Sequence, residues 1–117
     1  MTELSTLKEQ VCNSIDKNRD MLLSISHEIH SNPELAFEEF KASKLLSDES
    51  EKVGMKVVRE AYGLETAYAS DFGNDGPRVA ILSEYDALPG IGHSCGHNII
   101  ATTGFGAAAA LLEVKDS

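Results

Sequence analysis

An α/β fold, with helices packed on a mixed sheet, is what the apolar pattern of this 117-residue chain predicts. Two helical stripes fill the first half, short strand-like runs separated by turn residues follow, and a helical stretch rich in small residues comes last.

Leu4, Leu7, Val11, Ile15, Leu22, Ile25 and Ile29 recur at helical spacing and predict one long amphipathic helix over about residues 5–30. Pro33 ends it, since proline cannot donate to a helix ladder. Cys12 falls inside this pattern and reads as a buried structural thiol. Beyond the break, Phe37, Phe40, Leu45 and Val53 with interleaved Glu and Lys predict a second helix, and Gly54 stands where a left-handed cap is expected. The period then changes. Residues 55–59 and 66–70 read as strands around a Tyr62-Gly63 turn, and Asn74-Asp75-Gly76-Pro77 is a turn before a third strand at 78–83. Val79, Ala80, Ile81 and Leu82 form an unbroken apolar run, which predicts a central strand buried on both faces. A glycine-rich loop at 89–96 leads to a last, closely packed helix over about residues 99–114.

Composition narrows the function. The length suits one domain or a piece of one. No apolar run approaches the roughly 18 residues of a membrane span. The first ten residues lack the basic start and apolar centre of a secretory signal, so a cytoplasmic protein is expected. A formal charge of -9 repels phosphate backbones and anionic lipid, which argues against nucleic-acid and membrane partners. Cys12 and Cys95 lie far apart in sequence, and no disulfide framework is indicated.

Chemistry concentrates between Glu84 and Asn98, where Glu84, Asp86, His93, Cys95 and His97 follow the third predicted strand directly. Loops at the carboxyl ends of sheet strands are where sites form in open α/β folds. Cys95 and His97 flank Gly96, whose backbone can turn so that a thiolate and an imidazole converge, a ligand pair suited to zinc and similar divalent ions. Asp86 and Glu84 stand one residue apart, and either could accept the second ring proton of a metal-bound histidine. His93 is a further candidate ligand or substrate contact. Two other readings stay open: the histidines cap the following helix while Cys95 is buried, or Cys95 is a nucleophile at a helix amino terminus activated by His97 or His93.

Two look-alikes are set aside. His27 and His30 stand three apart rather than the four of a zinc-protease helix, and suit a solvated helix end, with a substrate or structural role for His30 as the alternative. Gly104-Phe105-Gly106 follows no strand directly, so close helix packing accounts for it better than a dinucleotide site. The acidic stretch 48–51 reads as the wet face of the second helix.

Three separated segments, His30-Ser31-Asn32-Pro33-Glu34-Leu35 with Glu38-Glu39, Glu84-Tyr85-Asp86-Ala87-Leu88-Pro89-Gly90 and His93-Ser94-Cys95-Gly96-His97-Asn98, resemble in order the signatures of metallopeptidase family 20. The likeness is to its amidohydrolase branch of aminoacylases, p-aminobenzoyl-glutamate hydrolases and dipeptidases. The resemblance implies that Cys95 and His97 are ligands of a divalent metal, zinc or manganese, and that Asp86 supports the site. It implies hydrolysis of amide bonds in N-acyl amino acids or dipeptides, with a glutamate as general base. It further implies that residues 1–117 are the amino-terminal part of an aminopeptidase-like catalytic domain in a homodimeric parent. The base, the remaining ligands and the dimerisation domain would then lie beyond Ser117, leaving the isolated chain inactive. Two departures stand out: Glu84 where many relatives place a metal-binding histidine, and Asn98 where the branch often has aspartate. Rival classes are a non-catalytic remnant or interaction module with the same partial fold, and a cysteine-dependent hydrolase.

Overall fold

Asn18 divides the first apolar stripe, so two helices form where one was expected: α1 (Leu4–Lys17) and α2 (Arg19–Ser31) in the computed structural model, which describes residues 2–117. Its backbone sits at φ -91°, ψ 10°, and its N–H reaches back to the carbonyls of Ser14 and Ile15. Asparagine is a poor interior helix residue, and a bend here lets both helices lie against the last one. The two halves are unequally covered. On α2, Ile25 and Ile29 are buried, whereas α1 buries only Ser14 and leaves Leu4 67% exposed. Cys12 is exposed rather than buried: one residue past Val11, it is turned about 100° off the apolar stripe.

Glu34 organises the next segment. Its carboxylate accepts from the N–H groups of Lys41 and Ala42, both at 2.9 Å, capping α3 (Phe40–Lys52) from outside the helix. The Glu34 carbonyl accepts from the Ala87 N–H at 2.7 Å, beside a parallel bridge between Leu35 and Ala87. Helix α3 buries Ala42, Leu46, Ser47 and Ser50 and closes at Gly54, where φ is +102°.

Strands β1 (Val57–Arg59) and β2 (Tyr68–Ser70) pair antiparallel, with Val58 opposite Ala69. Arg59 on β1 ion-pairs with Asp48 and Glu51 of α3, so part of the acidic stretch helps to seat the hairpin. Beneath it, the Thr66 hydroxyl donates to Glu39 at 2.8 Å with both residues buried.

The third expected strand does not form. Among the described residues, 78–83 pairs with nothing, and Val79 and Leu82 are 84% and 81% exposed. An apolar run becomes a central strand only when neighbours complete its ladder, and the small hairpin is joined elsewhere. One side of the run is nevertheless packed on α4 (His97–Glu113): a Cβ at Gly104 would lie 1.5 Å from Ser83 Oγ and 3.4 Å from Ile81 Cγ2. At Gly106 it would meet Leu22 at 3.1 Å. The Gly104-Phe105-Gly106 run therefore serves close packing, as expected.

Ile25, Ile29, Ala42, Leu46, Ala101 and Phe105 form the core where α2, α3 and α4 meet. Four helices packed on a small antiparallel sheet give the α/β class expected. Among the described residues, no helix is long and apolar enough to cross a membrane.

Candidate metal site

The chemistry-bearing loop is folded on itself before α4 begins. Leu88 bridges Gly92, the Ser94 hydroxyl donates to the Ile91 carbonyl at 2.6 Å, and the Gly96 N–H donates to the His93 carbonyl at 3.0 Å. Gly96 sits at φ +84°, a left-handed conformation that lets the chain turn from loop into helix with His97 as first helical residue. The glycine between Cys95 and His97 is thus required by backbone geometry.

His97 and Asp86 are brought together. The Nδ1 atom of His97 lies 2.9 Å from Asp86 Oδ1 and 2.9 Å from the Asp86 backbone carbonyl oxygen. A carbonyl oxygen can only accept, so Nδ1 carries the proton and donates. With the proton on Nδ1, Nε2 is the nitrogen left to offer a lone pair, the arrangement in which a histidine binds a metal while a carboxylate holds its other nitrogen. Both side chains are partly covered, at 24% and 30% exposure.

Cys95 is exposed and carries a free thiol. Among the described residues, no three His, Cys, Asp or Glu side chains converge closely enough to hold an ion. A thiolate and a neutral imidazole suit zinc chemically, and the donor set fits as part of a site rather than a whole one. Glu84, the alternative partner for a ligand histidine, is exposed and makes no side-chain hydrogen bond among the described residues. His93 is buried at 7% exposure, with neither ring nitrogen hydrogen-bonded and its centroid 6.3 Å from that of His30. Burial, reinforced by nearby His30 and His97, holds its imidazole below the usual histidine range.

Asn98 has a role that its sequence position did not announce. It is buried, and its side-chain amide donates to Ser26 Oγ at 3.1 Å, tying the first turn of α4 to α2. Glu34 was legible only as part of the early motif; nothing in its spacing signalled a cap for α3. The surface hollows along α2 and α3 share no residue with the Asp86–His97 pair.

No protein-family model matches the chain. Curated relatives do. An Xaa-Arg dipeptidase of Mus musculus is 39% identical over 98% of the chain and 29% of its own length. Such a match takes in all three signature segments. The chain belongs to the amidohydrolase branch of metallopeptidase family 20. A p-aminobenzoyl-glutamate hydrolase of Escherichia coli is 33% identical over 84% of the chain and 24% of its own length. For thermostable carboxypeptidase 2 of Saccharolobus solfataricus the identity is 33%, over 94% of the chain and 32% of its own length. This family 20 chain thus spans under a third of the length of these relatives, and that third contains the Asp86, Cys95 and His97 segments.

Proposed function

We propose that the protein to which this chain corresponds is a metal-dependent hydrolase of amide bonds in N-acyl amino acids or dipeptides, with Cys95 and His97 as ligands of a zinc or manganese ion. The relatives described as dipeptidase, acyl-glutamate hydrolase and carboxypeptidase support the substrate class. The observation that carries the metal reading is the clamp on His97: Asp86 engages Nδ1 through two oxygens and leaves Nε2 as the free lone pair. When bound, the ion would polarise the scissile carbonyl and activate water. Asp86 orients the ligand ring and raises its basicity, while the turn at Gly96 sets the spacing between thiol and imidazole. We place the protein in the cytoplasm, where two exposed free thiols suit a reducing compartment, and infer a homodimer for the longer protein.

One observation favours a narrower reading for the 117 residues alone. Without a third converging ligand among the described residues, the isolated chain is a non-catalytic module that offers only part of a metal site.

Cobalt titration followed by thiolate-to-metal absorption tests the ligands, in the isolated chain and in a longer polypeptide that contains it. The band is expected in both, weakly in the first, and lost in Cys95→Ser and His97→Ala. Metal binding undiminished by either substitution overturns the assignment. If hydrolysis by the longer protein is indifferent to chelator yet abolished by thiol alkylation, Cys95 is a nucleophile instead.

A further inference from the structure

Asp86 is anchored on both sides along the chain. After it, the buried Ala87 donates its N–H to the Glu34 carbonyl at 2.7 Å, and Leu35 bridges Ala87 in parallel. Before it, the Tyr85 ring packs against the core and the Tyr85 hydroxyl donates to the Thr66 carbonyl. Thr66 is itself tied down: it is buried, and its own hydroxyl donates at 2.8 Å to the buried carboxylate of Glu39, one residue before α3 begins. The Tyr85 ring also lies over Tyr68 of β2, with centroids 6.5 Å apart and planes 26° from parallel.

These anchors bear on a demanding contact. The Asp86 carbonyl and its Oδ1 both lie 2.9 Å from His97 Nδ1. A backbone oxygen and a side-chain oxygen of one residue meet the same N–H only over a narrow range of backbone and χ angles, and hydrogen bonds weaken steeply as the angle closes. The torsions nearest to Asp86 belong to the residues on either side of it. On the Ala87 side the anchor is a backbone hydrogen bond; on the Tyr85 side it is a hydroxyl, which a single substitution removes while the ring stays.

We propose that Tyr85 is a positioning residue: its hydroxyl, seated on Thr66 and backed by Glu39, holds Asp86 in the setting that engages His97 through two oxygens. The consequence for metal binding rests on the reading of His97 as a ligand, whereas the consequence for the His97 ring does not.

Ring-nitrogen NMR of isotope-labelled histidine tests the geometry without metal, in the longer polypeptide that contains this chain and with His97 assigned through His97→Gln. At a pH where the ring is neutral, the nitrogen shifts report which atom holds the proton, and in the parent this is Nδ1. In Tyr85→Phe the ratio of the Nε2–H form to the Nδ1–H form should rise roughly 2- to 10-fold, the worth of one hydrogen bond. Cobalt affinity, read by chelator competition, should fall by roughly the same 2- to 10-fold, and by less in an Asp86→Ala background where only the carbonyl remains to be positioned. Gly54→Ala strains the backbone at the far end of α3, where φ is +102°, and should lower stability while moving neither readout.

A tautomer ratio unchanged in folded Tyr85→Phe overturns the proposal. So does an equal shift in Gly54→Ala, or an affinity loss of the same size with and without the Asp86 carboxylate. Should circular dichroism show that Tyr85→Phe does not fold, Thr66→Val loosens the seat of the hydroxyl instead, with the same expected direction and the same overturning result. If the tautomer responds while the parent binds no cobalt through Cys95 and His97, the metal reading falls and the positioning of the ring by Tyr85 stands.

Discussion

Asp86 holds His97 by two oxygens at once, its carboxylate and its own backbone carbonyl, each 2.9 Å from Nδ1. The two contacts separate on mutation. Asp86→Asn keeps the carbonyl and hence the Nδ1–H tautomer but removes the negative charge, and Asp86→Ala removes the side-chain contact entirely. Metal affinity, read by competition with a chromophoric chelator, is expected to fall roughly 10- to 100-fold in Asp86→Ala and by less in Asp86→Asn. An Asp86→Ala variant that binds metal as tightly as the parent chain contradicts a positioning role.

Gly104 is predicted to resist even alanine. In an exposed helix interior that exchange is favourable by up to about 1 kcal/mol, but a Cβ at this position overlaps Ser83 Oγ and presses on Ser83 Cβ at 2.9 Å. A hydroxyl can rotate away; the Ser83 Cβ moves only with its backbone. Gly104→Ala should lower stability by roughly 1–3 kcal/mol in urea denaturation, and Ser83→Gly in the same chain should recover much of the loss.

The Glu34 cap can be measured without touching the site chemistry. Glu34→Ala leaves the Lys41 and Ala42 N–H groups without their acceptor and should cost about 0.5–2 kcal/mol. Glu34→Gln, which keeps one acceptor oxygen, should lie between. Thermal unfolding of the three proteins gives the order, and a Glu34→Ala melt equal to that of the parent rules the cap out as a stabilising feature.

Thr66 and Glu39 form a buried pair, at 5% and 8% exposure. Thr66→Val retains the shape and removes the donor, so the Glu39 carboxylate loses its partner. Destabilisation of about 1–3 kcal/mol is expected. The double variant Thr66→Val with Glu39→Leu should be more stable than Thr66→Val alone, a comparison that chemical denaturation settles.

Tyr85 sets an alkaline limit. Burial pushes its hydroxyl from the ordinary value of 10.0 up to about 12, and that hydroxyl donates to the Thr66 carbonyl. With the folded value above the unfolded one, the folded state retains the proton longer. The stabilising contribution is therefore complete below pH 10 and is lost progressively as pH rises toward 12. Denaturant midpoints between pH 9 and about 12 should fall more steeply for the parent chain than for Tyr85→Phe; parallel slopes count against the assignment.

Much of the site is legible in the sequence because its signals are local. Cys95, Gly96 and His97 sit within three residues, and the left-handed turn at Gly96 follows from one missing Cβ. The Gly54 cap, the Val57–Arg59 and Tyr68–Ser70 hairpin and the closely packed last helix are likewise short-range consequences of residue type. The break at Asn18 is less visible, because the apolar spacing continues across it while the backbone does not. The expected burial of Cys12 fails for a related reason: membership of a helix says little about a face one residue off the stripe.

What the amino-acid sequence decided by itself is the α/β character, the position of the chemistry-bearing loop and the family, since these rest on periodicity, glycine placement and three ordered signatures. Residue spacing left Asp86 and Glu84 open as partners of His97, the resemblance pointed to Asp86, and tertiary structure brought Asp86 to the ring. Tertiary structure alone decided that Asn98 ties α4 to Ser26, that Glu34 caps a helix seven residues on, and that 78–83 lies open. The physical reason is range. A propensity or turn is settled by neighbours along the chain, whereas a partner, a cap at a distance or a strand's burial depends on which other backbone arrives beside it. For 78–83, no other backbone among the described residues does.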